Sequence, residues 1–364
     1  MTKPILVIPK SVSVTGVIAI FLIILVIIFR YFSSLPTFKD GDLVKISTTV
    51  TTEPIVYEKT QYIKLMGLKT YLPKYPQVTY GDEIVVIGRV NNDKLNNPEL
   101  IEVGESKNRL YKLRERLILF YKKSLPEPHA SLVAGTVLGS KSMPNKFWET
   151  LKQTGTAHVV VASGTNVAMV AGFLMGVTTS FLKRKKAIVV TLLGISMYVV
   201  LSGFDAPIVR AAIMGAVVFI AQGAGRLVSA WRALVISIVL MLLIKPLWLT
   251  DLGFILSVLA TSGLMLFQKN IDTRLKFIPN VLREGLTTSI SAQIFVAPVI
   301  YATFGQFNIL SPIINALILW TIPYIMIIGG VGGVVGLIVP KLGMIMLQLV
   351  YPLTWFFEKT LSLF

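Results

Sequence analysis

Residues 154–167 read TGTAHVVVASGTNV and place His158, Ser163, Asn166, Gly155 and Gly164 in an otherwise apolar stretch of membrane length. Lipid alone does not accommodate that cluster, because an unpartnered donor or acceptor in hydrocarbon costs several kcal/mol. Such groups face a protein interior, a water-filled path or a substrate. Read as one helix, His158, Ala162 and Asn166 fall at i, i+4 and i+8 and share a face, with Ser163 beside it. That face either lines a polar groove or is a packing face, where Gly155, Ala162, Ser163 and Gly164 admit a neighbouring helix and the polar atoms bond across.

Three further constellations interrupt apolar runs. Residues 205–214 (DAPIVRAAIM) put Arg210 just after a helix-starting proline. A charge there needs Asp205 as partner, a passing phosphate, or a reach to the outer interface. Residues 245–263 (KPLWLTDLGFILSVLATSG) set Asp251 where it caps the following helix. Gly253, Ser257 and Thr261 then make a close-packing or groove-lining face. Within residues 286–308, Ser289, Gln293 and Pro298 precede the turn FGQFN, and Gln293 at mid-membrane depth must bond a neighbouring helix or a nucleobase edge.

The elements that must carry these residues follow from composition. The 364 residues are 54% hydrophobic with mean hydropathy +0.73, so the chain reads as a polytopic α-helical membrane protein. The expected apolar segments are residues 159–182, 187–201, 208–224, 233–249, 252–267, 286–303, 309–339 and 342–357. The seventh carries Pro312, Pro323, Gly329 and Gly330 and is either one broken helix or two short ones. Residues 11–29 form a first transmembrane helix in preference to a signal peptide, and residues 129–140 form an amphipathic stretch too short to span.

Residues 34–128 are polar, with alternating strands expected at 43–53, 55–72 and 81–90. They suit a small OB-like β-barrel of about five strands inserted after the first transmembrane helix. Residues 110–124 form a basic amphipathic helix, either interfacial or simply solvated. The expected domains are therefore 1–33, 34–128 and 129–364.

Lys183, Arg184, Lys185 and Lys186 mark a cytoplasmic loop, with Arg226 and Arg232, then Lys269, Arg274, Lys276 and Arg283, on the same side. The β-domain is then extracytoplasmic, and Lys3 and Lys10 are cytoplasmic. Cysteine is absent and the histidines are His129 and His158, which leaves a zinc hydrolase without enough ligands. No cofactor or metal is expected. The net charge of +17 reflects either loop topology or a polyanionic ligand.

Taken in order, these blocks resemble the ComEC family of DNA-uptake channel proteins. TGTAHVVVASGTNV is similar to the family's G-x-x-H-x-x-x-x-S-G signature, and APIVRAAIM to its A-x-x-R-A-x-x-M motif. KPLWLTDLGFILSVLATSGL resembles its P-x-x-x-x-x-x-G-F-x-L-S-x-x-A-T-x-G-L segment. SISAQIFVAPVIYATFGQFNILSPIIN resembles its S-x-x-A-Q-x-x-x-x-P stretch, FG-x-x-N turn and following Asn, here Asn315. Where relatives often have a second histidine this chain has Asn166, so a role for a histidine pair is not carried over.

The resemblance implies passage of single-stranded DNA across the cytoplasmic membrane in natural transformation. His158, Asn166, Arg210 and Gln293 would line the path. Gly155, Ser163, Gly164, Asp205, Asp251, Gly253 and Ser257 would shape or pack it. It also implies an extracytoplasmic DNA receptor and, since no GxxxxGK[ST] loop is present, a cytoplasmic helicase-like ATPase motor. Many relatives carry a C-terminal metallo-β-lactamase-like domain; the sequence ends at Phe364, so a separate nuclease is expected. The outer domain would receive DNA, although residues 31–128 hold only 15 basic against 12 acidic side chains.

Two other readings stand beside this one. A secondary transporter for a small anionic solute would use Arg210 and broken helices at the midplane, and an inverted repeat would favour it. A membrane hydrolase would use Ser163 with His158, but the G-x-S-x-G elbow is missing.

Overall fold

The computed structural model describes residues 14–364 except 36, 37, 52, 105, 107, 162 and 306. Lys3, Lys10, the beginning of the first apolar run, Ala162 and Gln306 lie outside the described residues. Helix α1 (Val14–Ser33) precedes a sheet of β1 (Leu43–Thr49), β2 (Ile55–Val56), β3 (Thr60–Leu65), β4 (Leu68–Pro73), β5 (Glu83–Asn91) and β6 (Lys94–Gly104). Period-two alternation builds these strands: in β3 and β4, Gln61, Ile63 and Leu65 with Leu68, Thr70 and Leu72 turn inward, and their neighbours face out. The two-residue link between β3 and β4 places Met66 at φ 46° and Gly67 at φ 95°, the left-handed pair that a tight hairpin needs.

The sheet order is β1-β5-β6-β4-β3-β2, with β4 and β6 parallel and the other neighbours antiparallel. The expected closed barrel is not formed. Among the described residues the sheet is open, with β1 and β2 as its edges. After β1, Glu53 bonds Ser140 and Lys141 of the helical domain, and the edge strand β2 is only two residues long. A sixth strand, β6, was not among the expected ones.

Helix α2 (Arg109–Ser124), capped by Asn108, buries Leu117, Phe120 and Tyr121 in the core of the helical domain and leaves Lys112, Glu115, Arg116, Lys122 and Lys123 exposed on its other face. Then come α3 (His129–Leu138), α4 (Asn145–Gln153), α5 (Ala157–Val160), α6 (Gly164–Thr179), α7 (Arg184–Leu201), α8 (Ala206–Gly223) and α9 (Ala230–Ile244). The rest are α10 (Leu252–Arg274), α11 (Asn280–Phe304), α12 (Ser311–Ile318), α13 (Ile322–Ile338), α14 (Pro340–Gln348) and α15 (Tyr351–Leu361).

All ten residues of α3 are buried, so it is a core helix and not an amphipathic one. Its neighbours α2, α13 and α15 close around it, with glycines of α13 admitting them: a Cβ at Gly329 would sit 3.0 Å from Val133, and one at Gly333 would collide with Tyr121 of α2. Ile27 of α1 joins Met241, Leu242 and Phe254 in a separate cluster, so the first helix belongs to the bundle.

The expected run at 309–339 is broken, with a 3-10 turn at Leu319–Thr321 between α12 and α13. The run at 342–357 is likewise split into α14 and α15. Five stretches among the described residues are long and apolar enough to cross a membrane: Ala157–Thr179, Ala206–Gly223, Leu252–Arg274, Asn280–Phe304 and Ser311–Ile338. The protein is thus multi-pass by length and composition.

Candidate functional site

Polar side chains collect where α5, α6, α8, α10, α11 and α12 meet. The 157–179 stretch is not one continuous helix. α5 ends at Val160, Val161 and Ser163 are extended, and α6 starts afresh at Gly164. The sequence there is three consecutive β-branched valines, then Ala-Ser-Gly: the valines weaken the helix and Ser163 can open a new one. His158 and Asn166 therefore do not share a helical face. His158 is exposed, whereas Asn166 is 1% exposed.

Asn166 Nδ2 donates to Thr136 O at 2.9 Å, which ties α6 to α3, and its Oδ1 accepts from Ser163 Oγ at 3.1 Å. His158 Nδ1 lies 3.0 Å from Gly155 O. A carbonyl can only accept, so Nδ1 carries the hydrogen, and Nε2 of the neutral ring is left as an acceptor. Ser163 and His158 hydrogen-bond different partners and form no nucleophile-base pair in this arrangement.

Arg210 is 6% exposed, on α8. Its Nε donates to Ser257 Oγ of α10 at 2.7 Å, and its Nη1 lies 3.1 Å from Met214 Sδ. The expected Asp205 partner is engaged elsewhere: Asp205 pairs with Lys141 Nζ at 2.8 Å. Five residues of helix carry Arg210 more than a turn inward from Asp205, which stays at the α8 N-terminus. No ion pair to Arg210 is present among the described residues.

Gly164 is small because Arg210 passes it, a Cβ there lying 3.3 Å from Nη2. Gly253 lies beside the first turn of α8, where a Cβ would be in ordinary contact with Pro207 at 3.6 Å, and its tightest neighbour would be Asp251 Oδ1 at 3.1 Å. Asp251 caps α10 by accepting from Phe254 N at 2.9 Å.

On the facing hairpin, Gln293 Nε2 donates to Ser289 Oγ at 3.2 Å and to Ser311 Oγ at 3.0 Å. Asn315 Nδ2 reaches the same two hydroxyls, at 2.9 and 3.3 Å, while its buried Oδ1 has no partner among the described residues. Ser311 in turn abuts Gly155, whose φ of 69° and lack of a side chain the contact requires: a Cβ would sit 2.8 Å from Ser311 Oγ. Asn308 Nδ2 donates to Gln153 O at 2.8 Å nearby. Asn315, quoted in the sequence only as part of a motif, is thus central to this network.

The packing closes on itself. α6 lies on α8, α8 on α10, α10 on α11 and α11 on α12, and Asn308 and Ser311 return to the α4–α5 turn. Close approach between the last members is set by small residues, with Gly263 against the backbone at Ser291 and Gly285 against Ala316.

A second polar cluster joins the sheet to this bundle. The Glu53 carboxylate accepts from Ser140 Oγ at 2.7 Å, Lys141 N at 2.7 Å and Arg114 Nη2 at 2.9 Å, with Arg114 only 4% exposed. Arg114 also stacks on Tyr80, 4.9 Å from the ring centroid, and Tyr80 donates to Val200 O at the end of α7. Burial pushes the Tyr80 phenol upward, with Tyr111 adding to it, so it keeps its proton. The sheet therefore sits at the opposite end of α7 from Lys183 to Lys186.

No solved structure matches the chain. ComE operon protein 3 of Bacillus subtilis (strain 168) is 29% identical over 241 residues, which is 64% of this chain and 30% of that protein's length. The chain thus spans less than a third of the curated relative. The family described as Competence protein matches residues 137–364, which takes in the whole circuit from Gly155 to Asn315 and the motifs that resemble the ComEC family. By that match over more than half its length, the chain belongs to the Competence protein family.

Proposed function

We propose that the helical domain passes a single strand of DNA across the cytoplasmic membrane during natural transformation. The observation that carries this reading is the closed succession of α6, α8, α10, α11 and α12, hung with hydroxyl, amide, imidazole and guanidinium groups, in which a largely buried Arg210 has no carboxylate among the described residues. A guanidinium held by a hydroxyl and a thioether is left with donors to offer a phosphate. Hydroxyls and amides suit a sequence-tolerant passage, because they bond water and backbone without reading bases.

His158, Asn166, Arg210 and Gln293 are the lining residues in this reading. In the described arrangement Asn166 and Gln293 are bonded within the protein, so they exchange those partners for strand or water when the path opens. Gly155, Ser163, Gly164, Asp205, Asp251, Gly253 and Ser257 position them. The sheet is extracytoplasmic and Lys183 to Lys186 are cytoplasmic, with a cytoplasmic ATPase motor supplying direction and an extracytoplasmic receptor delivering DNA.

The test is uptake of labelled DNA into the cytoplasm of a strain deleted for this gene. Uptake should vanish, return with the wild-type chain, and fail to return with Arg210→Ala. Unimpaired uptake in the deletion strain would remove the channel reading. Normal uptake with Arg210→Ala would remove only that residue's role.

A further inference from the structure

The sheet carries a local concentration of charge and aromatic rings that its overall composition hides. Residues 55–76 hold Lys59, Lys64, Lys69 and Lys74 against Glu58, and four tyrosines, Tyr57, Tyr62, Tyr71 and Tyr75. Over the rest of residues 34–104, four cations stand against eight carboxylates. A basic, tyrosine-rich hairpin is thus set in an otherwise acidic sheet.

The pairing register sorts these residues onto one face. Tyr62 lies directly opposite Tyr71 and, on its other side, opposite Ile55, with Tyr57 two residues further along. The rings of Tyr62 and Tyr71 are 5.2 Å apart and tilted by 45°. Lys64 lies opposite Lys69 on the same face. The reverse face, with Ile63, Leu65, Leu68 and Leu72, is core, so the tyrosines are not needed to fill it.

Like charges directly opposite on neighbouring strands are destabilising. Asp93 pairs with Lys69 at 2.6 Å, whereas Lys64 makes no ion pair among the described residues. Folding alone does not reward that arrangement; an anion does.

This face runs into a groove of about 410 Å³ between Tyr57 and Lys59 on the sheet and Asn145, Trp148 and Lys152 on α4. Glu58 and Glu149 also line it, with Glu149 held by Lys152 at 2.6 Å. Tyr57 and Trp148 give this groove aromatic lining from both sides, and Lys59 and Lys152 give it cations. α4 leads directly to the Gly155 turn and His158.

From this we infer that the Tyr57, Tyr62 and Tyr71 face, continued by the groove to Trp148, holds single-stranded nucleic acid by base stacking, with the lysines on its phosphates. The inference rests on the channel reading only in taking the held strand to be the one conducted onward. The strand would thread from the hairpin past α4 to the helical circuit.

The experiment uses the full chain in nanodiscs of phosphatidylcholine and the anisotropy of a fluorescent oligothymidylate. Changing Tyr62 and Tyr71 together to Ala should weaken binding at least about tenfold. Changing both to Phe should preserve it, because the rings remain. Lys64→Gln should lower the salt dependence by about one ion. An iodouracil-substituted strand should photocrosslink to the wild-type chain at Tyr57, Tyr62, Tyr71 or Trp148, a readout that needs no variant to fold.

Unchanged affinity in the Ala pair, equal loss in the Phe and Ala pairs, or crosslinks confined to other segments would each overturn the inference. So would competition by duplex as strong as by single strand. If anionic lipid in the nanodisc abolishes binding through these same residues, the face is a membrane seat and the inference falls. A face that binds as described in a chain that conducts no DNA in cells sinks the channel reading alone. Intact uptake with binding lost sinks only this inference.

Discussion

All ten residues of α3 are buried, whereas of the 23 residues of α10 only Phe254 and Gly263 are. Residues 252–267 of α10 are, like α3, rich in small and apolar side chains, so composition does not separate them there. Placement does. α3 sits inside a ring of α2, α13 and α15, with glycines of α13 facing its valines and the tyrosine of α2. α10 pairs with α11 as a hairpin that packs on α8 and α12, leaves most of its residues only partly covered, and brings Ser257, Gln293 and Ser289 to polar partners. Full burial is concentrated around α3, and the unpaired Arg210 with its hydroxyl and amide neighbours in the half that is only partly covered.

The strongest challenge to that comparison is at the edge of the packed half. Glu53→Ala leaves Arg114 buried without its carboxylate and should cost about 3–5 kcal/mol. Unfolding of the purified chain measures it, and adding Arg114→Met should recover part of the loss. A cost as small as that of a surface ion pair would mean that the junction is not a buried clamp.

Next is Gly343→Val, whose side chain would meet the backbone of Gly336. It should cost about 3 kcal/mol and lower the amount of folded protein in membranes. A neutral result would show α13 and α14 free to part, and the dense half would not be dense.

Arg210→Met then tests the other half. Replacing an unpaired buried charge by a side chain of similar length should change stability by no more than about 1 kcal/mol, while DNA uptake falls at least tenfold. A large loss of stability with uptake proportionate to the remaining protein would make Arg210 a packing residue.

The smallest effect is expected at Gly172 and Gly215, where a Cβ meets nothing within 4 Å. Alanine at either should stabilise by about 0.5–1 kcal/mol through the unfolded chain and leave uptake unchanged. Destabilisation at Gly215 would mean that α8 has a neighbour in the membrane that the isolated chain lacks.

What could be read from the residues followed from pattern length. Long apolar runs located α8, α10 and α11 to within a few residues at most ends, and Asp251 announced its own helix start. Short-range breaks were harder. The valines after His158 looked helical by hydropathy, so the interruption at 161–163 and the separation of His158 from Asn166 went unseen.

β6 was missed because Asn96, Asn97 and Pro98 are poor strand formers, yet its residues complete the ladder with β5. α4 was missed because nine mostly polar residues carry little signal. Partnerships across the chain were out of reach: nothing near Asp205 in sequence points to Lys141, 64 positions earlier. Averaging also misled, since a domain-wide charge count cancelled the hairpin lysines against carboxylates on other strands.

Helix α2 touches both worlds. Near its start Tyr111 fills the space above Gly81 of the sheet, and near its end Tyr121 bonds Gly329 O of α13 at 3.1 Å. Sixteen residues of helix make a strut of roughly 24 Å. Tension on the sheet is therefore delivered down a stiff rod into the buried core around α3, and reaches the α10–α11 hairpin only through the helices between them.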